Sequence, residues 1–241
     1  MRHVRMGLLF WLSLVALAQS GSIGTGVVAI GGAGGPGIRG IQGIPFSADV
    51  TTETTRILAD GNRIHRVDHG KICRDSQGRT RNENSFTGLP DGQPIEHVWI
   101  NDPLERVFIN LDMQGKTANV VHFPALTQTL QSRPSTQITS APKPPPFTVH
   151  HEKLGTMYIE GILVNGTKIT RTAEAGLMGN DQPLVTVIEN WASEELKETL
   201  LSKTDDPQSG QTVRTLSNIQ RGEPDPSLFQ VPAGFTVHDQ Q

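Results

Sequence analysis

A single cysteine, Cys73, stands in this chain of 241 residues. It excludes an intrachain disulfide framework and any zinc or iron–sulfur site built on clustered thiolates. Aromatic side chains are also scarce, at 5 %. A basic field is absent: 21 Lys and Arg face 24 Asp and Glu, for a net charge of -3. A phosphate backbone needs the opposite sign, so nucleic acid is not an expected partner. No long amphipathic helical period is visible, nor is HExxH, GxSxG or SxxK, and no motif calls for a cofactor. What the chain does have is 23 Thr, 25 Gly and 16 Pro. That balance of β-branched residues and turn formers favours many short strands over a helical bundle.

The amino terminus reads as an export signal. Arg2, His3 and Arg5 precede an apolar core from Met6 to Ala18, which closes on the small-x-small site Ala16-Leu17-Ala18. Thirteen residues are too few to cross ~30 Å of hydrocarbon as a helix, so 1–18 is expected to be a cleaved signal peptide and the chain periplasmic or secreted. If it were left uncleaved, the membrane would be a partner through this segment alone. Residues 19–45 follow as a Gly-rich tether. Gly31, Gly34, Gly37, Gly40 and Gly43 fall at every third position, too few triplets for a collagen helix, and GGAGGPG lacks the flanking elements and Lys of a phosphate loop.

From Phe46 the apolar period is two. Phe46, Ala48 and Val50 alternate with Ser47, Asp49 and Thr51, as in a half-buried strand. Turn signals at Asp60-Gly61, Asp75 to Gly78, Gly88 to Pro94, Asp102-Pro103 and Gln114 to Lys116 divide 46–123 into about six strands. Residues 124–146 are rich in Pro, Ser and Thr and read as a loop or spacer. Strands resume over 147–241. Asn165-Gly166 is expected as a hairpin turn, and Asn165-Gly166-Thr167 also fits a glycosylation acceptor. Leu184 to Trp191 is the most apolar strand and is expected to be central. Ser193, Glu194 and Glu195 fit a helix cap with Leu196 and Leu200 four apart, but a turn at 192–195 with a strand after it is preferred. About ten antiparallel strands must hide one face, as a barrel, a sandwich, or a sheet curled around a small helix or ligand.

Few constellations carry chemistry. His65 and His69 share a strand face but lie ~13 Å apart, too far for one zinc, and His150 and His151 point to opposite faces. Cys73 lies in a strand between Ile72 and Arg74 and reads as a structural residue. Glu194-Glu195, Asp205-Asp206 and Asp225 lie where turns need carboxylates anyway. Arg63, Arg66, Lys71, Arg74, Arg79 and Arg81 make a basic stretch, read as a solvated outer sheet face or a dock for an anionic partner.

A resemblance enters at the carboxy terminus. In the stretch from Glu189 to Val237, Trp191, Leu196, Leu216, Asn218, Ile219, Asp225, Pro226, Leu228, Phe229, Pro232 and Gly234 resemble the closing pattern of the periplasmic LolA/LppX/RseB-like superfamily. Trp99-Ile100-Asn101-Asp102-Pro103 is similar to that group's mid-chain strand and turn, and 45–241 also resembles exported proteins of soil bacteria such as acidobacteria. The resemblance implies ten to eleven antiparallel strands in one strongly curved sheet or half-barrel over 46–241, with little helix. Trp99, Val107, Ile109, Leu111, Trp191, Leu216 and Phe229 are the expected fold-defining or concave-face residues. It further implies a non-enzymatic envelope protein whose partner is a lipid or other apolar ligand, or an envelope protein. A hydrolase using scattered Asp, Glu and His is the rival class. Cleavage after Ala18 predicts that the intact mass of the exported protein matches a chain beginning at Gln19, as free glutamine or as its cyclised pyroglutamate; a mass that retains residues 1–18 in the exported fraction contradicts it.

Overall fold

A computed structural model describes residues 43–86, 95–123 and 147–240. The expected signal, most of the tether, and the segments 88–94 and 124–146 lie outside the described residues. Twelve strands form one open sheet: β1 (Phe46–Ile57), β2 (Arg63–Arg74), β3 (Thr80–Phe86), β4 (Ile95–Asp102), β5 (Val107–Asp112), β6 (Thr117–His122), β7 (Phe147–Ile159), β8 (Ile162–Ala173), β9 (Leu184–Ser193), β10 (Glu198–Asp206), β11 (Gly210–Arg221) and β12 (Thr236–Gln240). Their spatial order is β12-β6-β5-β4-β3-β2-β1-β11-β10-β9-β8-β7. Every pairing is antiparallel except β12 on β6. The sheet is curved and not closed. The described helical content is one 3-10 turn, Pro226–Phe229.

Strand ends follow a recurring local chemistry. Asp102, Asp112 and Asp206 each end a strand, and each carboxylate accepts two backbone N–H groups of the turn that follows. Asp75, just past β2, does the same for Gln77 and Arg79. At the end of β9 the Ser193 hydroxyl accepts from Leu196 N–H. Short acceptors of this kind satisfy turn donors that a ladder cannot reach, and so fix where pairing stops. The preferred turn near 193 is therefore present, with β10 beginning at Glu198 rather than a helix.

Three expectations need correction. The β7–β8 hairpin turns at Glu160-Gly161, whose φ values of 51° and 73° suit a two-residue turn of the primed type. Asn165-Gly166 instead lies inside β8, where Gly166 pairs with Trp191. A Cβ at Gly166 would lie 2.6 Å from the Trp191 ring, so the glycine serves close packing and not chain reversal. Leu184 to Trp191 is flanked on both sides but lies third from the β7 edge, and its side chains are only partly buried. The basic stretch is solvated only in part: Arg63, Arg66 and Lys71 are exposed, whereas Arg74 and Arg81 are buried, at 2 % and 8 % exposure.

Two apolar cores form. Directly opposed residues in an antiparallel ladder share a face. By register, Cys73 shares a face with Arg81, Ile100, Ile109 and Val120, whereas its neighbour Ile72 belongs to the other face. The Cys73 face carries one core, built from β2 to β6 and covered by Phe229, with Leu228, Val231 and Phe235 against it. The other core gathers Phe46, Ala48, Val50, Ile72 and Leu216 with Ile162 and Val164 of the β7–β8 hairpin and Leu196 and Leu200. Residues 222–235 cross the Cys73 face from β11 to the far edge, and this passage delivers β12 to β6 in the parallel sense.

Gly166→Ala is expected to destabilise the fold by about 1–3 kcal/mol, because the new methyl displaces the Trp191 ring. Pairing it with Trp191→Leu should restore part of that loss. Equal denaturation midpoints for wild type and Gly166→Ala would contradict this packing.

Candidate functional site

The registers that build the sheet also assemble a row of functional groups on the Cys73 face. Ser217, Asp49, Lys71 and Glu83 stand opposite one another across β11, β1, β2 and β3, and the row continues into the core as Val98, Leu111 and Ala118. The neighbouring row holds Thr51, His69, Ser85 and Glu96. Together they line an open recess of about 500 Å³, which also receives Arg81, Met113 and Asn218. This volume falls within the range of about 300–1,000 Å³ common for ligand sites.

Some of these groups are committed to one another. Asn218 donates its amide to Asp49 at 2.8 Å, and Arg81 pairs with Glu83 at 2.6 Å while also donating to the Leu228 carbonyl at 2.9 Å. Asn218 takes the left-handed φ of 51° beside the register shift against Ser47 and Asp49, which aims its amide into the recess. Lys71, His69 and Glu96 make no ion pair with a described residue. Ser85 stands opposite His69, but no hydrogen bond joins them among the described residues, so no nucleophile–base pair is formed. No group of three His, Cys, Asp or Glu suited to a metal ion occurs among the described residues.

A second recess, of about 680 Å³, lies between the β2–β3 turn and residues 223–226. Its acids hold the backbone. Asp75 pairs with Arg79 at 2.6 Å, Glu223 accepts from Ser76 N–H, and Asp225 caps the 3-10 turn through Ser227 N–H. Binding to that backbone donor, foremost, keeps the Asp225 carboxyl below its ordinary value. On the opposite sheet face Arg74 donates to the carbonyls of Leu196 and Ile44 and lies 5.1 Å from the Phe46 ring centroid. Burial pushes the Glu198 carboxyl above its usual range despite the counter-pull of Arg214 and Arg74, and burial lowers both guanidinium values. These groups fasten the end of β2 to the β9–β10 turn, and β11 to β10 through the Arg214 bond to the Thr199 carbonyl.

The seven residues expected from sequence do not share one face. Val107, Ile109 and Leu111 lie on the Cys73 face with Phe229, where Ile109, Leu111 and Phe229 are buried. Leu216 is fully buried in the other core, with Trp191 packed against it. Trp99 points away from Val98 and Ile100 and stacks on His97, with ring centroids 5.8 Å apart. Sequence reading placed Lys71 in a basic stretch and Asp49 in a strand, but it did not bring them together with Glu83 and Glu96, because each comes from a different strand and register alone aligns them. Alternation in FSADV and RTRNENSF places Asp49 and Glu83 on a face but cannot match the strands.

No protein-family model matches the chain, and no curated protein matches it in sequence. Its fold is similar to several solved structures. One is an uncharacterized conserved protein from Thermus thermophilus, at 10 % identity and TM-score 0.44, over 83 % of this chain and 93 % of that one. Another is the Pseudomonas aeruginosa MucA/MucB complex, at 12 % identity and TM-score 0.42, over 82 % of this chain and 59 % of that one. A third is the Mycobacterium tuberculosis lipoprotein LppX, at 18 % identity and TM-score 0.27, over 77 % of this chain and 89 % of that one. These structures say nothing of a soil-bacterial origin.

Cys73 offers a direct check on the core beside this recess. Burial, above all, pushes its thiol from 9.0 up to about 11. The neutral thiol is the form the fold favours, so its stabilising contribution is complete below pH 9 and falls as pH rises toward 11. At pH 8, Ellman's reagent should therefore label the folded protein far more slowly than the unfolded chain. Equal labelling rates would place Cys73 at the surface.

Proposed function

We propose that this chain is a non-enzymatic interaction protein of the bacterial envelope, which holds a polypeptide segment of an envelope partner in the recess lined by Asp49, Lys71, Glu83 and Glu96. One observation carries the reading. The recess presents charges of both signs, three of its groups (Lys71, His69 and Glu96) lack ion-pair partners among the described residues, and both apolar cores are already covered by the chain itself. Alternating charges beside Val98 and Met113 suit a peptide backbone with mixed side chains, while an acyl chain would leave these charges desolvated without compensation.

The apolar-ligand alternative finds less room. The notch lined by Phe147, Ala173, Met178 and Leu184 holds about 120 Å³, well below the usual ligand-site range. Strand addition is a second mode for the same role. β7 is a thirteen-residue edge strand paired only with β8 among the described residues, which is the geometry a partner strand extends.

A photo-crosslinking amino acid at Ser85, with a second variant carrying it at Val149 on β7, tests these modes in envelope extract. A polypeptide adduct at position 85 that disappears with Lys71→Glu is the expected result. An adduct at 149 alone would move the contact to the β7 edge. Absence of both, together with an acyl lipid retained through purification in native mass spectrometry, would overturn the polypeptide reading.

A further inference from the structure

The face opposite the recess carries chemistry that neither core uses. Fourteen residues of β3 to β6 point to it by register, and five of them are Asn: Asn82, Asn84, Asn101, Asn110 and Asn119. Asn is among the residues most depleted in strands, where Thr and other β-branched or aromatic residues are preferred. Five local violations on one face mark a place where function overrides propensity.

Their arrangement is ordered. Asn82, Trp99, Asn110 and Asn119 stand directly opposite one another on four adjacent strands, and His238 of β12 continues the row. At about 4.8 Å per strand this row is about 19 Å long. Beside Trp99, His97 lies nearly parallel to it, with 12° between the ring planes, and Phe86 meets His97 edge-on at 5.9 Å. All these aromatic side chains are partly open to solvent. None of the five carboxamides, nor the Trp99 indole N–H, has a hydrogen-bond partner among the described residues.

We propose that this row is a binding site for a neutral, linear glycan, with Trp99 as the stacking platform and the carboxamides of Asn82 and Asn110 as the hydroxyl-reading groups on either side of it. An uncommitted carboxamide offers two donors and an acceptor, matching vicinal hydroxyls, and an aromatic face receives the C–H groups of a sugar ring. Among the fourteen positions there is no Lys or Arg, which removes the groups that would hold phosphate or a nucleic-acid strand. The amide density equally disfavours an acyl chain. This site is separate from the recess, on the other face of β3 and β4.

Calorimetric titration of the full chain with cellopentaose, xylopentaose, maltopentaose and chitopentaose provides the test. Saturable binding of at least one, little changed between low and high salt, is expected. Trp99→Ala should weaken it by about tenfold or more, Trp99→Phe should retain part of it, and Asn110→Ala should cost about threefold to tenfold. Lys71→Glu, in the recess, should leave it unchanged. If no pentasaccharide binds at millimolar concentration, or if Trp99→Phe and Asn110→Ala bind as wild type does, the proposal fails. Loss of binding on Lys71→Glu alone would also overturn it by assigning the sugar to the recess, while failure of the glycan arms leaves the polypeptide reading standing.

Discussion

Ile72 and Cys73 are neighbours on β2, yet they point into different cores. That divergence is the constraint on which the remaining structure rests. A sheet with no packed helix among the described residues must cover apolar surface on both faces with its own strands and connections. The chain does so twice. The β7–β8 hairpin brings Ile162 and Val164 against Phe46, Val50 and Leu216, and the passage from β11 to β12 brings Phe229 over Ile100, Ile109 and Leu111. On each face an arginine bonds the backbone carbonyl of a core leucine's segment, the β9–β10 turn on one side and the β11–β12 passage on the other. Arg74 bonds Leu196, and Arg81 bonds Leu228. A guanidinium suits this task because it keeps several donors even when burial lowers its basicity.

The carboxy-terminal pattern acquires a physical meaning in this light. Leu216 fills one core, Asn218 sits in a left-handed conformation at the register shift, and Ile219 returns to packing against that same core. Asp225 caps the short turn that presents Phe229 to the other core, and Gly234, at φ 85°, bends the chain toward β12. The phrase from Leu216 to Gly234 thus ties the two cores together, which is reason enough for its regularity without a role in chemistry.

Filling both cores from within has a functional consequence. Two polar surfaces remain outside the cores: a recess of mixed charge on one face and an aromatic row flanked by carboxamides on the other. Both lie on β3 and β4, whose alternate side chains serve opposite sides. A rigid ladder of this kind fixes its side chains at strand spacing, so their arrangement follows register more than loops.

Sequence reading located the strands from their period of two and most of the turns from Asp and Gly, since both signals are local: alternation reports one buried face, and a short acceptor satisfies the nearest turn donors. Ser193 and Leu196 were legible as a turn on the same ground. Asn165-Gly166 was misread because a glycine needed beneath an aromatic ring looks identical, in one dimension, to a glycine needed for reversal. The basic stretch was misread at Arg74 and Arg81, which are buried through carbonyls contributed 122 and 147 residues away. By itself, then, the sequence determined a mainly β chain, most of the places where strands end and the alternation of each strand. Tertiary structure alone decided which alternating face meets which, the parallel seat of β12 and the alignment of Asp49, Lys71 and Glu83 into one recess, because cross-strand register is a long-range match that no local pattern encodes.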